Sequence, residues 1–185
     1  MGCLDLGFEG STKSTLTAHL AVAAHHAGIL TAVVDTDPQA TLRMWSTRRQ
    51  LDGPPVRPET TPDFLEPTLR EFERQGAELV LIDTAGKAEL MGKRAAELSD
   101  LVLIPTRTSL ADMDAVPTSH AMAKAAGKPH FVLFSDVDVS GAKRDVKEAA
   151  AGFVARGIPT GRENGAPIIC HRKGYKSCLI DGSTI

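Results

Sequence analysis

Residues 7–15 read GFEGSTKST and lie between a short apolar run at the start of the chain and an Ala-rich segment with apolar residues at helical spacing. A glycine- and hydroxyl-rich turn from a strand into a helix presents successive backbone N–H groups to an anion. In such a loop a lysine, here Lys13, reaches the outer phosphate oxygens, and a hydroxyl, here Ser14, ligates Mg²⁺. We expect Lys13 to contribute charge and little packing. The stretch therefore predicts a phosphate-binding loop, and its alternative is a polar turn whose Ser or Thr caps the helix.

The rest of the chain alternates short apolar runs with segments of helical period. The apolar runs are 29–34, 79–82, 101–104 and 131–134, and the helical segments are 14–27, 41–51, 62–75, 87–98, 109–126 and 142–156. This alternation predicts an α/β fold with a parallel sheet and crossover helices. Because 185 residues suffice for one well-buried core, we expect a single domain over residues 1–185.

The composition argues against several classes of protein. With 21 basic and 23 acidic residues the chain is nearly neutral, which argues against a protein that coats nucleic acid through bulk charge. Residues 141–185 hold eight basic and four acidic side chains, so any basic surface is C-terminal. Three irregularly spaced cysteines form no disulfide framework and favour a reducing compartment, so we expect a cytoplasmic protein. The sequence predicts neither a secretory signal nor a membrane span.

Acidic residues follow two of the apolar runs. Asp35 and Asp37 come directly after residues 29–34, and Asp83 follows residues 79–82. Because the carboxyl ends of parallel strands share one edge of the sheet, these side chains are expected near Lys13. A lysine, a hydroxyl and several carboxylates at one edge favour a nucleotide and Mg²⁺ site. A lone Asp at a strand end is more often a turn or cap residue.

Four motifs in this order resemble the ParA branch of the ParA/MinD ATPases with a deviant phosphate loop. They are GSTKST at 10–15, DTDPQA at 35–40, LVLIDTA at 79–85 and DLVLIPTRTSLADMDA at 100–115, and the resemblance covers nearly the whole chain. The second and fourth are the most specific. The resemblance implies a three-layer fold of the P-loop NTPase type, with a predominantly parallel twisted sheet and helices on both faces.

The resemblance also implies roles for individual residues. Lys13 is expected to hold the phosphates and Ser14 to ligate Mg²⁺, while Asp35 and Asp83 complete the metal shell through water. Asp37 is expected to orient the attacking water, so Lys13 and Asp37 are the candidate catalytic residues. The cofactors are ATP or ADP and Mg²⁺, and the candidate nucleotide-binding residues form one run, Gly10, Ser11, Thr12, Lys13, Ser14 and Thr15.

The same resemblance implies how the protein dimerises and which partners it binds. The protein is expected to form a homodimer when ATP binds, to associate as a dimer with non-specific DNA, and to be stimulated by a ParB-like partner protein. Such proteins position plasmids, chromosomes or other cargo. A membrane cycle is not expected, because the tail at 176–185 lacks a long amphipathic helix. The candidate DNA surface is basic, comprising Lys143, Arg144, Arg172 and Lys173.

Departures from the family pattern keep two alternatives open. The family's crossing lysine and two of its loop glycines fall on Phe8, Glu9 and Thr12, and a β-carbon at Thr12 is expected to cost backbone freedom. The family's adenine-reading asparagine is replaced by Phe134-Ser135, and we expect Phe134 to pack in the core. One alternative is a binding or scaffold module that does not hydrolyse ATP. The other is an ATP-dependent ligase of the same superfamily.

Overall fold

A computed structural model of the chain describes residues 1–6, 12–49, 52–85, 89–138, 142–161, 167–171, 178–180 and 182. Strands and helices alternate along it. The strands are β1 (Gly2–Leu6), β2 (Thr31–Asp35), β3 (Val56–Pro58), β4 (Leu79–Asp83), β5 (Leu101–Thr106), β6 (His130–Val137) and β7 (Ile168–Cys170). The helices are α1 (Lys13–His26), α2 (Thr41–Arg48), α3 (Pro62–Arg74), α4 (Glu89–Leu98), α5 (Leu110–Ala125) and α6 (Ala142–Ala155).

These strands form one parallel sheet in the order β3-β2-β4-β1-β5-β6-β7. The chain leaves β1 toward β2 on one side and leaves β4 toward β5 on the other. The change of direction therefore falls beside β1, at the carboxyl edge where α/β proteins bind ligands. The register places Asp83 opposite Asp35 on one neighbour and opposite Leu6 on the other.

Helices cover both faces of the sheet, as the sequence predicts. Alternate residues of one strand point to opposite faces, so Val33 packs with α1 and α2 whereas Val34 packs with α3 and α4. The central strands are buried on both sides, which explains why they consist of continuous apolar runs. Trp45 of α2 is fully buried and contributes to the cluster under α1.

Several predicted boundaries are corrected by the structure. The short edge strands β3 and β7 were not predicted, because three residues are too few for a periodic pattern. Helix α2 ends at Arg48 rather than at residue 51, since Arg49 is extended with φ −68° and ψ 116°. Strand β2 begins at Thr31, and the apolar residues before it are exposed in the turn. Gly28, with φ +82°, follows the end of α1.

Within the described ranges, no helix is both long and apolar enough to cross a membrane.

Candidate functional site

The first turn of α1 is joined to the end of β4 by hydrogen bonds. The Ser14 hydroxyl donates to Asp83 Oδ2 at 2.6 Å. Three residues further along the same helix face, Thr17 Oγ1 lies 2.9 Å from the Lys13 carbonyl and 3.4 Å from Asp83 Oδ1, and can donate to either. The structure therefore brings Lys13, Ser14 and Asp83 to one edge of the sheet, as the sequence predicts.

Asp83 carries the most perturbed carboxylate of this edge. Its pKa is raised to about 7, chiefly because burial desolvates the carboxyl and also because the charges of Asp35 and Asp37 lie nearby. The Ser14 hydrogen bond and the Lys13 ammonium act in the opposite direction and lower the pKa. Burial destabilises the ionised form of this carboxyl, and a cation bound beside it would stabilise that form.

Lys13 itself is buried, with only 6% of its surface exposed. The sequence predicts a lysine that contributes phosphate-binding charge and little packing. That expectation is wrong for packing, because the aliphatic stem of Lys13 is enclosed by the protein. Variants at this position therefore need to preserve side-chain volume.

Asp35 is fully buried and caps helix α2. Its Oδ2 accepts the backbone N–H groups of Leu42 at 3.0 Å and Arg43 at 3.1 Å, and its Oδ1 accepts that of Asp37 at 3.2 Å. Burial raises the pKa of Asp35, and these backbone hydrogen bonds oppose the shift. Asp35 therefore caps α2 and also lies beside Asp83 in the sheet.

Asp37 lies after β2 and is half-buried. Its Oδ1 accepts the backbone N–H of Gln39 at 2.9 Å, which holds the carboxylate in a short turn. Because its charge raises the pKa of Asp83, it belongs to the same electrostatic cluster.

Some of the remaining positions in the predicted phosphate-binding loop lie within the described residues, and others lie outside them. Thr12 precedes α1 with φ −99° and ψ −10°, so the expected cost of a β-carbon at a left-handed position does not arise. Thr15 is half-buried in the first turn. Gly10, Ser11, Phe8 and Glu9 lie outside the described residues.

The motif at 100–115 contains the residues that cap helix α5. Ser109 accepts the backbone N–H of Asp112 at 3.3 Å, and its hydroxyl donates to the Asp112 carboxylate. Burial would raise the pKa of Asp112, but hydrogen bonds from Arg107 and Ser109 lower it. Arg107 reaches Asp112 Oδ2 with Nε at 2.9 Å and Oδ1 with a terminal nitrogen at 3.2 Å. The serine-to-aspartate spacing is the capping signal that sequence reasoning missed.

The oxygen donors at this edge fit a Mg²⁺ ion that is bound together with a nucleotide. Within the part of the chain that the structure describes, no three His, Cys, Asp or Glu side chains form a metal site by themselves. Mg²⁺ usually keeps several waters and takes few protein ligands besides substrate phosphates. Ser14 and the adjacent carboxylates provide a donor set of that kind.

Comparison with known proteins agrees with this geometry. The sequence model of a family described as the CobQ/CobB/MinD/ParA nucleotide binding domain matches residues 7–159. Protein ParA of Rhizobium radiobacter is 30% identical over 104 residues, which are 56% of this chain and 46% of that protein. The chain therefore aligns with about half the length of this curated relative.

Solved structures share the fold at low sequence identity. A MinC:MinD cell division complex from Aquifex aeolicus matches with a TM-score of 0.74 at 15% identity, covering 98% of this chain and 85% of that one. Cobyrinic acid a,c-diamide synthase from Mycobacterium smegmatis, with bound ADP and magnesium, matches with a TM-score of 0.73 at 14% identity, covering 98% and 90%.

Proposed function

This chain belongs to the CobQ/CobB/MinD/ParA family of nucleotide-binding domains, and from that premise we propose that it is a ParA-like ATPase that binds Mg-ATP at the carboxyl edge of its sheet. The observation that carries the proposal is the 2.6 Å hydrogen bond from Ser14, in the first turn of α1, to Asp83 at the end of β4. A hydroxyl bound to a carboxylate beside a buried lysine is the arrangement that a phosphate and Mg²⁺ site requires.

Each residue of this edge has a proposed task. Lys13 and the N–H groups at the start of α1 bind the phosphates, where the positive end of the helix dipole adds to the attraction. Ser14 would ligate Mg²⁺ and Asp35 and Asp83 would complete its shell through water, and the bound ion would neutralise phosphate charge. Asp37 orients a water molecule toward the terminal phosphate, a task for which its carboxylate can accept a proton.

Isothermal titration with ATP and with ADP, each with and without Mg²⁺, tests this proposal. We expect both nucleotides to bind, and Mg²⁺ to tighten the binding. Absence of heat and of any thermal stabilisation with either nucleotide would contradict the proposal, because a ligand that binds the folded state raises its stability.

A small-molecule ligase is the second candidate function. Its support is the similarity of this fold to a cobyrinic acid a,c-diamide synthase, a match as good as that to the cell division complex. The DTDPQ sequence at 35–39 and the ParA relative favour the ParA-like function instead. ATP hydrolysis in the absence of any acceptor molecule distinguishes the two.

Residues 8 and 9 are proposed to limit turnover. Glu9 adds a negative charge beside a polyphosphate, and Phe8 provides no cation for the charge that develops during phosphoryl transfer. We expect Phe8→Lys with Glu9→Gly to raise the rate of ATP hydrolysis about tenfold, measured by phosphate release. The control, Phe8→Gln with Glu9→Gly, lacks the cation and is expected to gain less. Equal rates in both variants would contradict a role for the cation.

We further propose dimerisation on ATP, a stimulating ParB-like partner and weak binding to non-specific DNA through the C-terminal basic residues. Arg144 is exposed on α6 and pairs with Glu148 at 2.9 Å. The side chains of Lys143, Arg172 and Lys173 lie outside the described residues. Two copies in a dimer place two such patches on DNA, which about doubles the phosphate contacts.

Charge reversal tests this DNA surface. Changing Lys143, Arg144, Arg172 and Lys173 to Glu is expected to abolish duplex binding at low salt in the presence of ATP. In the unmodified protein, the affinity is expected to fall steeply as salt rises, because DNA binding releases counterions. Reversal of four other basic residues, Arg57, Arg70, Arg74 and Lys93, which are exposed on β3, α3 and α4, is the matched control. Equal loss in both variants would remove the C-terminal surface from the proposal.

A further inference from the structure

Thr12 precedes α1 but does not cap it. A threonine before a helix normally has an extended backbone and accepts an N–H of the first turn with its hydroxyl oxygen. Here the backbone of Thr12 is helical, with φ −99° and ψ −10°, and its side chain makes no capping bond. Some other interaction must therefore hold Thr12 in this conformation.

That interaction comes from the end of β6. Thr12 Oγ1 lies 2.9 Å from Ser135 Oγ, and Ser135 is 3% exposed. Ser135 Oγ in turn donates to the Thr106 carbonyl of β5 at 3.3 Å. The two hydroxyls share one hydrogen bond, in which either can be the donor. The three residues form a chain of hydrogen bonds from α1 across two strands.

The bond between Thr12 and Ser135 affects the backbone N–H groups at the start of α1, because it keeps the Thr12 hydroxyl from capping them. The first N–H groups of a helix have no partner within the helix, and side-chain caps usually accept them. Helix α1 has no acidic residue in its first turn and, within the described residues, no side-chain cap. The backbone carbonyl of Thr12 accepts the N–H of Leu16 at 2.9 Å, which starts the helix. Within the described part of the chain, no side-chain cap competes for the N–H groups of Ser14 and Thr15, so an anion can accept them.

We propose that Ser135 is a positioning residue that draws the Thr12 hydroxyl away from α1 and so keeps the start of this helix available to a phosphate group. The inference rests on the proposed nucleotide binding and adds a residue that the loop motif does not contain. Without Ser135, Thr12 adopts the extended conformation that it prefers and caps Ser14 or Thr15. A phosphate then has to displace the threonine.

Three variants test the proposal: Ser135→Ala, Thr12→Val and the double variant. Valine keeps the shape of threonine but has no hydroxyl with which to cap. We expect Ser135→Ala to weaken the binding of Mg-ATP about fivefold, because the competing cap is worth about 1 kcal/mol. We expect Thr12→Val in the same chain to restore the affinity. A purely structural effect of Ser135 would persist in the double variant, and that result would overturn the proposal.

Amide hydrogen exchange in the protein without nucleotide gives a second readout. Exchange at Ser14 and Thr15 is expected to be fast in the unmodified protein, slower in Ser135→Ala and fast again in the double variant. Unchanged exchange in Ser135→Ala would overturn the proposal even if nucleotide binds. If exchange follows the expectation but Mg-ATP does not bind the unmodified protein, the proposed function fails and Ser135 positions Thr12 for another anion. Ser135→Cys, which nearly keeps the volume and weakens the hydrogen bond to Thr12 in either direction, replaces the alanine variant if that one does not fold.

Discussion

Replacing Lys13 with methionine is expected to weaken the binding of Mg-ATP about 100-fold. A lysine that contacts phosphate makes charge-assisted hydrogen bonds, and losing them in an enclosed site costs about 2.8 kcal/mol, the equivalent of that factor. Methionine suits this position better than alanine does because Lys13 is buried, so its aliphatic stem contributes packing that methionine retains. The measurement is isothermal titration with ATP and Mg²⁺.

The control for this variant is Lys13→Arg, which keeps the charge and is expected to retain part of the affinity. Both variants are also compared with the unmodified protein by thermal unfolding without nucleotide. Lys13 lowers the pKa of Asp83, so its removal leaves that carboxyl still harder to ionise. An unchanged ATP affinity in Lys13→Met, with the fold intact, would show that another part of the protein holds the phosphates.

The sheet and the proximity of the site residues could be predicted because both depend on patterns that run through the whole chain. Continuous apolar runs identify strands that are buried on two faces, and a polar residue directly after such a run lies at the carboxyl edge. Asp83 and Asp35 follow from this rule alone, and their register in neighbouring strands confirms it. The prediction that Phe134 packs in the core is confirmed by its complete burial.

Other features depend on contacts between residues that are distant in the chain. The bond between Thr12 and Ser135 spans 123 positions, and no local pattern indicates it. The sequence left open whether Asp35 is a cap or a metal ligand, and the hydrogen bonds to α2 show that it is a cap. The edge strands β3 and β7 are short because only one neighbour pairs with them, so they leave little trace in the sequence.

Replacing Asp83 with asparagine is expected to stabilise the protein without nucleotide at pH 8 while it removes the effect of Mg²⁺ on ATP binding. The pKa of Asp83 is about 7 in the folded protein, whereas the ordinary value is 3.8. Between these values the folded state retains a proton that the unfolded state has lost. The contribution of Asp83 to stability is therefore fully present below about pH 4 and declines as the pH rises toward 7.

At pH 8 the unmodified protein bears the whole cost of an ionised, desolvated carboxylate, which is at most about 4 kcal/mol for a shift of this size. Asparagine is neutral at every pH, and its amide oxygen still accepts a hydroxyl hydrogen from Ser14 or Thr17. Asparagine has one acceptor oxygen where the carboxylate has two, so one of these two hydrogen bonds is lost. This loss offsets part of the gain, and we expect a net stabilisation of about 2 kcal/mol at pH 8. At pH 4 the protonated carboxyl of the unmodified protein no longer bears that cost, so the same replacement is expected to destabilise the protein by about 2 kcal/mol.

Urea unfolding of both proteins from pH 4 to pH 8 measures this difference, and titration of ATP with and without Mg²⁺ measures the second effect. The matched control is Asp35→Asn, which removes another buried carboxylate but also weakens the cap of α2, so it is expected to destabilise the protein at pH 8. A stability difference for Asp83→Asn that is the same at both pH values would contradict the raised pKa. A variant that is more stable and yet indifferent to Mg²⁺ would mean that the protein retains this costly carboxylate because a cation binds beside it.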